Sequence, residues 1–506
     1  MRITRFGGLV PALDAKQLNT MFGTTAKNVR VWDGTLRAMR TASPAAACAP
    51  DCEVEIGIGE VEDQIKVANG QLVHADGTVV VQPRPTDIPS VRVVTAGKDA
   101  IAFRYSTVNK YGEESAKSNV SSTVRVEQGS RIIVNAGSYP MRLYAYVTDS
   151  LTGQQTQEDF LLPFGNEVLV GEFTGPANFV YDLSTWAMSN DGYNTDDWCV
   201  PNGIKCITKD LEGYYYAYSD NTVWISERHL AHAWPRRQVV YVKHTIRDLV
   251  PYYDVVFITT NQTPALLRKP MITQGIDEGL VDANITYYSQ SHPATGPAAS
   301  TDFGVIYPST MGLVALTPTV PNGLQLFTRN LINEDTWREK WSPTVLTWCQ
   351  GVAYGSNADR GFLLDVKDNN EGSYELGQMV EIAPFKTACC HSGYPVLDGR
   401  AWNSGTGYLA ATWISRIFVE VGIVKLTAAK VVGRNLAGIV FELHERKLGL
   451  LRRVTLTDAD SNVPFNLPMK RGQDYWVSLV LPATGREIAV EEVHVAATRW
   501  ELLKAD

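Results

Sequence analysis

YYYAYSDNTVWISERHLAHAWP, residues Tyr214–Pro235, holds two short β-rich runs around a tight turn, then an aromatic–histidine elbow closed by Trp234-Pro235. Tyr214, Tyr216 and Tyr218 alternate with Tyr215 and Ala217, and Val223 and Ile225 flank Trp224. Alternation at period two is the pattern of a half-buried strand pair. Ser219-Asp220-Asn221 supplies the turn, because Asp and Asn tolerate left-handed backbone and bond their own chain. Three further stretches repeat the scheme of strand, turn and strand: Asp254–Leu267, Phe303–Leu316 and Val352–Asp365. With Gly213–Ser226 the units start at 213, 254, 303 and 352, so they lie 41, 49 and 49 residues apart. A period of roughly 40–50 residues with about four strands per unit is that of propeller blades.

The flanks are also β-rich. Within residues 88–185, Ala100–Asn109, Val120–Val126, Arg131–Asn135 and Met141–Thr148 read as strands, with Tyr144 and Tyr146 on one face. The set resembles a fibronectin type III-like module, among other seven-stranded sandwiches. Residues 380–506 carry strand-length runs at Ala411–Glu420, Ile439–Leu443, Leu451–Leu456, Tyr475–Leu481 and Glu491–Ala497, a second sandwich of jelly-roll or similar type. Residues 1–87 read as an N-terminal arm with hairpin and linker, of which residues 1–60 lack a core of their own. Ala15–Asn28 keeps a few apolar residues on one face, as a short helix would, and Asn28–Arg40 reads as a hairpin turning at Asp33-Gly34. The expected fold is therefore all-β: a β-propeller-like central domain at residues 186–379 with flanking sandwiches.

Composition agrees. Of 506 residues 44% are hydrophobic, 20% charged and 10% aromatic, the balance of a globular chain large enough for several domains. The net charge of −8 argues against a tight, sequence-independent grip on nucleic acid, which needs a basic surface. Seven cysteines, at 48, 52, 199, 206, 349, 389 and 390, are odd in number and unevenly spaced, which points to reduced thiols. The N-terminal MRITRFGGLVPALD lacks an apolar core of signal-peptide length, and no apolar run reaches membrane length. The expectation is a protein made in a cytoplasm and soluble until it assembles.

Three separated stretches resemble the tail nozzle, or tail tubular, proteins of short-tailed phages. Asn28–Arg40, NVRVWDGTLRAMR, is similar to that family's Asn-led hairpin ending in G-x-L-R, carried here by Asn28, Gly34, Leu36 and Arg37; Ala38 stands where a proline is usual. YSTVNKYGEESAKS, Tyr105–Ser118, looks like the family's YGEE-S-P-S sandwich strand ahead of a propeller whose first blade ends in SE…PHAWP. Ser226, Glu227, His232, Ala233, Trp234 and Pro235 match that ending, with Ala231 in place of a proline. The closing TWISRIF and VEEVHVAATRWEL resemble the family's last sandwich. The resemblance implies a structural virion protein assembled in the host cytoplasm. It would form a ring of six copies below portal and adaptor, carry tail fibres nearby, and pass double-stranded DNA through its lumen without binding it. A negative lumen suits that task, since it repels phosphate.

Candidate chemistry is thin. His229 and His232 sit three apart in a turn, with no carboxylate or third histidine placed to complete a metal shell, so packing of the loop against Trp234 is preferred. Cys389-Cys390-His391 is read as thiols, because adjacent cysteines chelate one zinc poorly. Propeller glycosidases use paired carboxylates, yet Asp196-Asp197, Glu334-Asp335 and Asp365 show no spacing that aims two at one centre. No catalytic residue, cofactor or metal is assigned. Arg236-Arg237 and Lys243–Arg247 form a basic patch suited to DNA phosphate or, preferably, a neighbouring subunit's acidic face. The alternatives from other classes are a glycan-degrading propeller enzyme and a module that binds host surface.

Overall fold

The computed structural model describes every residue except 32, 46–52, 59–60, 94–98, 127–130, 139, 150–166, 175–178, 183–197, 269–284, 320–321, 369–373, 392–393 and 504–506. The chain is all-β and divides into two compact units. One comprises Asp51–Asp254 with Arg268–Asn284; the other comprises Met1–Pro50, Val255–Leu267 and Ile285–Asp506. No helix among the described residues is long and apolar enough to cross a membrane.

In the Asp51–Asp254 unit, seven strands between Ser90 and Asp182 form a sandwich. Val124–Val126, Asp99–Thr107, Met141–Asp149 and Glu167–Phe173 make one sheet, and Phe179–Asp182, Arg131–Asn135 and Ser90–Val93 the other. Alternate residues of the long strands (Ile101, Phe103, Tyr105; Met141, Leu143, Ala145) fill the core between them. The same unit holds a three-stranded meander, Glu53–Ile58, Val61–Ala68 and Gln71–His74, and a four-stranded one, Cys206–Lys209, Tyr215–Ser219, Thr222–Ile225 and Val239–Tyr241. Asp220, with φ of 47°, turns the central hairpin as its sequence suggests. The pair is not half-buried, however. Tyr215, Tyr216, Ala217 and Tyr218 are all buried, because one face packs on Ile65, Leu72 and Trp234 while Tyr216 and Tyr218 are covered on the other.

In the second unit the repeat continues. Ala299–Thr301, Gly304–Pro308, Leu313–Leu316 and Leu324–Leu326 form one antiparallel meander, and Val345–Cys349, Val352–Ser356, Gly361–Asp368 and Tyr374–Ile382 the next. Each repeated sequence stretch supplies the two inner strands of its sheet, as do Val255–Thr260 and Ala265–Arg268. Inner strands are covered on both sides, which is why their sequences carry the strongest apolar signal. This is a β-propeller-like repeat of four-stranded blades.

The C-terminal sandwich stacks two sheets. One orders Val29–Arg30, Leu36–Ala38, Ala489–Ala496, Ala428–Arg434 and Phe465–Asn466; the other includes Gly23–Lys27, Ala411–Ser415, Arg471–Leu481, Val440–Glu445 and Gly449–Thr455. Val29, Leu36, Val431 and Val493 meet Trp413, Phe441 and Leu479 in one core.

Several expectations are corrected here. The N-terminus is no coreless arm: Arg2–Ile3 and Leu36–Ala38 pair with Ala489–Ala496, and Gly23–Lys27 pairs with Ala411–Ser415. The expected Ala15–Asn28 helix is turns followed by that strand, because Thr24 and Thr25 are β-branched and a sheet edge is there to receive them. Only Gly34 of the Asp33-Gly34 turn takes positive φ, at 80°. Ala388–His391, Tyr394–Leu397 and Arg400–Ala401, read as part of the last sandwich, form a separate sheet closed by Ser43–Pro44. The 53–74 meander, read as linker, turns at Asn69-Gly70, both with positive φ, the strongest two-residue hairpin signal. Finally, the thiols are not all reduced. Cys349 and Cys390 form a disulfide, Cα–Cα 5.4 Å, and Cys206 and Cys389 are disulfide-bonded too, while Cys199 keeps its thiol. Pairing brings Cys349 and Cys390 into reach across 41 residues, which spacing alone could not reveal.

Candidate functional site: a joint between two motif stretches

Two stretches that stand far apart in sequence, Tyr111–Ser121 and Ser226–Pro235, meet in the first unit. Ala116 packs with Trp198 and Ala233, all three buried.

The first stretch leaves the sandwich after Asp99–Thr107. Gly112, at φ of 80°, and Asn109 make the turn; Asn109 Oδ1 accepts from the Tyr111 and Glu113 amides at 3.0 Å each. Both glutamates then turn inward. Glu113 Oε2 lies 2.8 Å from Nε2 of the fully buried His74 and accepts from Asn109 Nδ2 at 2.5 Å. His74 stacks on Tyr111, ring centroids 3.7 Å apart. Glu114, also buried, accepts from Ser106 Oγ and the Tyr144 hydroxyl at 2.5 Å each and from Arg142 Nη1 at 3.0 Å. Burial, with the Glu114 charge beside it, raises the Tyr144 pKa well above the ordinary tyrosine value, so the phenol stays a donor. Buried Lys117 places its ammonium 4.0 Å from the Tyr144 ring centroid. Buried charges persist only when compensated in this way.

Past the glutamates a serine recurs every third residue. Ser115, Ser118 and Ser121 donate their amides to the carbonyls of Thr107, Tyr105 and Phe103, at 2.7–2.9 Å. Their hydroxyls accept from those same residues' amides at 2.9–3.1 Å. Each hydroxyl in turn donates to the carbonyl that follows it. The hydroxyl thus takes the acceptor role of a strand carbonyl, and the sheet edge is satisfied by an irregular segment.

The second stretch repeats this device. Ser226 Oγ accepts from the Tyr215 amide at 2.9 Å and donates to the Glu227 carbonyl at 2.8 Å, so the chain can bend away after the strand. Glu227 pairs with Arg237 at 2.7 Å. The elbow closes on itself: the Glu227 amide donates to Ala233 and the Ala233 amide to Leu230. Trp234, fully buried, donates Nε1–H to the Ala231 carbonyl at 2.8 Å, and Pro235 bridges to Trp198. His232 packs edge-on against Trp198 at 5.5 Å, not against Trp234 as the sequence suggests. Burial lowers its pKa below the ordinary histidine value, with Glu113 and Glu114 pulling the other way. The described residues bring together no group of three or more His, Cys, Asp or Glu that could hold a metal ion.

Between the stretches lies a cavity of about 280 Å³, lined by Glu114, Ala116, Trp198, His232, Arg84 and Arg236 among others. The basic patch expected of Arg236-Arg237 is divided: Arg237 is taken by Glu227 while Arg236 lines the cavity.

The hairpin motif sits in the other unit. Asn28, at φ of 54°, donates Nδ2 to the Ala410 carbonyl; Gly34 makes the turn; Leu36 is buried opposite Val490. Arg37 pairs with Asp33 at 2.9 Å and Glu487 at 3.1 Å. That unit also has a cleft of about 1000 Å³ lined by Gln290, His292, Arg329 and Glu334, the last being the one carboxylate among the described lining residues. Asp335 is exposed beside it, Asp365 lies on the Gly361–Asp368 strand, and Asp196-Asp197 fall outside the described residues.

No family model matches the chain, and no curated protein matches it. Among solved structures, an oxidoreductase (glucose dehydrogenase) from Thermus thermophilus is 12% identical over 65% of this chain and 94% of its own, with a TM-score of 0.26. PorZ, a surface component of the type-IX secretion system of Porphyromonas gingivalis, is 10% identical over 92% and 75%, with a TM-score of 0.26. An exo-β-1,3-galactanase from Phanerochaete chrysosporium is 9% identical over 91% and 100%, with a TM-score of 0.20. Likenesses this loose carry no argument; the fold class rests on the chain's own strand pairing.

Sequence reading missed Glu113, Glu114, Trp198 and Arg84 as site residues. The one available signal was two adjacent glutamates directly after a strand, where both side chains of a turn are seldom buried.

Proposed function

We propose that this chain is a structural subunit of a phage tail, one of a ring that prolongs the DNA channel below portal and adaptor. The observation that carries the proposal is the use made of the motif residues. Ser226, Glu227, His232, Trp234 and Pro235 form a self-bonded joint, and Asn28, Gly34, Leu36 and Arg37 fasten the N-terminal hairpin to the last sandwich. Residues so placed hold segments rigid, which a conduit requires and a turnover site does not.

A second feature supports assembly. Among the described residues Phe418–Lys425 pairs only with Arg471–Leu481, and its register jumps between Val419 and Val424, so the intervening residues bulge out. Val421 is fully exposed there, and Ile423 largely so. Exposed apolar residues on a free strand edge mark a protein contact. We assign this edge to contact with a second copy in the ring.

The test is a head preparation lacking this protein. Such heads should package DNA, lack the distal tail and regain infectivity when the protein is added. Protein carrying Val421→Asp and Ile423→Asp should fold normally yet fail to complete the tail. Particles without the protein that keep a whole tail tube, losing only receptor binding or sugar cleavage, would overturn the proposal.

A further inference from the structure

The cavity at the joint is asymmetric in charge. Glu114 forms part of its lining; it shares Arg142, at 3.0 Å, with Glu172, accepts from the Ser106 and Tyr144 hydroxyls, and has the buried Lys117 ammonium beside it over the Tyr144 ring. Neither arginine of the lining is paired with a described carboxylate. Arg84 reaches the Ser118 carbonyl and Asn119 Oδ1, both neutral oxygens at 3.4 Å. The Arg236 guanidinium makes no hydrogen bond or ion pair with a described residue. The His232 side chain likewise bonds to no described group, and burial favours its neutral form. Gln82 uses its amide nitrogen on the Val79 carbonyl at 2.7 Å and leaves its oxygen as an acceptor. The site therefore offers two uncompensated guanidinium forks and one neutral imidazole, above a buried indole.

We infer that this cavity binds a phosphate-type dianion, as free phosphate or as the phosphomonoester group of a small molecule. Charge selects the dianion: Arg142 and Lys117 offset Glu114 and Glu172, and the guanidinium charges of Arg84 and Arg236 remain. A carboxylate or a backbone phosphodiester supplies only one negative charge and leaves an arginine unpaired. Shape agrees, since guanidinium forks bind tetrahedral oxyanions through paired hydrogen bonds, and the neutral imidazole can donate a further one. A volume of about 280 Å³ is at the small end for ligand cavities and suits a phosphate with a compact body resting on Trp198. A duplex cannot present a terminal dianion to a recess whose floor is buried. The inference stands apart from the tail proposal, since it uses only the cavity.

The experiment is isothermal titration of the full chain at fixed ionic strength with inorganic phosphate, phenyl phosphate, acetate and a short blunt DNA duplex lacking 5′ phosphates. Phosphate and phenyl phosphate should bind saturably at one site per chain, with phenyl phosphate tighter and acetate at least tenfold weaker. Duplex should give no saturable heat. Arg84→Gln and Arg236→Gln, both exposed and expected to fold, should each weaken phosphate by about tenfold or more, with unchanged circular dichroism. His232→Gln should weaken it less. Equal heats for all anions, or phosphate binding unchanged in the double arginine variant, would show only general charge screening and overturn the inference. Tight duplex binding abolished by the same variants would overturn it in favour of a phosphodiester site.

Discussion

Trp234 is the residue on which the joint turns. Its ring is fully buried among Tyr215, Ala217, Ile65 and Leu72, and its indole N–H is satisfied by Ala231. Trp234→Ala should cost about 3–5 kcal/mol, because truncation leaves a cavity in a well-packed core. Trp234→Phe keeps most of the volume and should cost about 1–2 kcal/mol, chiefly the hydrogen bond; urea unfolding reads both, and equal losses for the two would refute a packing role. His232 gives a prediction in pH. Burial holds its pKa below the ordinary 6.5, so on acidification the unfolded chain takes up the proton first. Its contribution to stability is whole above pH 6.5 and falls away as the pH drops below that value. The melting temperature should decline over that range in the native protein, and less steeply in His232→Gln. A slope unaltered by the substitution would remove His232 from the account.

At the scale of elements, the serine segment after Asp99–Thr107 shows how an irregular stretch can satisfy a sheet edge. Ser118 is fully buried, and its hydroxyl is the acceptor for the Tyr105 amide. Ser118→Ala removes that acceptor without opening space for solvent, so a buried N–H is orphaned. A loss of about 1–3 kcal/mol follows, with faster hydrogen exchange at the Tyr105 amide than at Ala102, where the strand pairs only with Met141–Asp149. Unchanged exchange at Tyr105 would mean that water or a shifted carbonyl replaces the hydroxyl. The same device at Ser226 explains why a serine heads the SE…HAWP stretch: a carbonyl alone cannot both end the strand pair and let the chain turn into the elbow.

For the whole molecule, the Cys349–Cys390 bridge ties the end of one blade strand to the next sheet, closing a loop of 41 residues. Closing a loop of that length constrains the unfolded chain by about 3–4 kcal/mol. Denaturing the protein without reductant should let Cys199 alkylate while Cys349 and Cys390 do not, and reductant should both expose them and lower stability by that amount. Immediate labelling of all seven cysteines would return the chain to the fully reduced state its cysteine spacing suggests. A bridge already closed in protein taken from a reducing cytoplasm would count against the tail proposal.

Local pattern alone determined the β class, the repeated inner hairpins from Tyr214 onward and the turns at Asp220 and Gly34. Each depends on residues within a few positions of one another, where alternation and left-handed backbone act directly. Tertiary structure decided the rest. Gly23–Lys27 is a strand because Ala411–Ser415, nearly 400 residues away, offers it an edge; its own residues would have allowed a weak helix. Ser43–Pro44 completes a sheet begun at Ala388, and Glu114 finds its partners because Arg142 and Tyr144 arrive from another strand. A strand edge or a buried carboxylate needs a partner, and which partner comes is set by long-range packing that no local window of sequence contains.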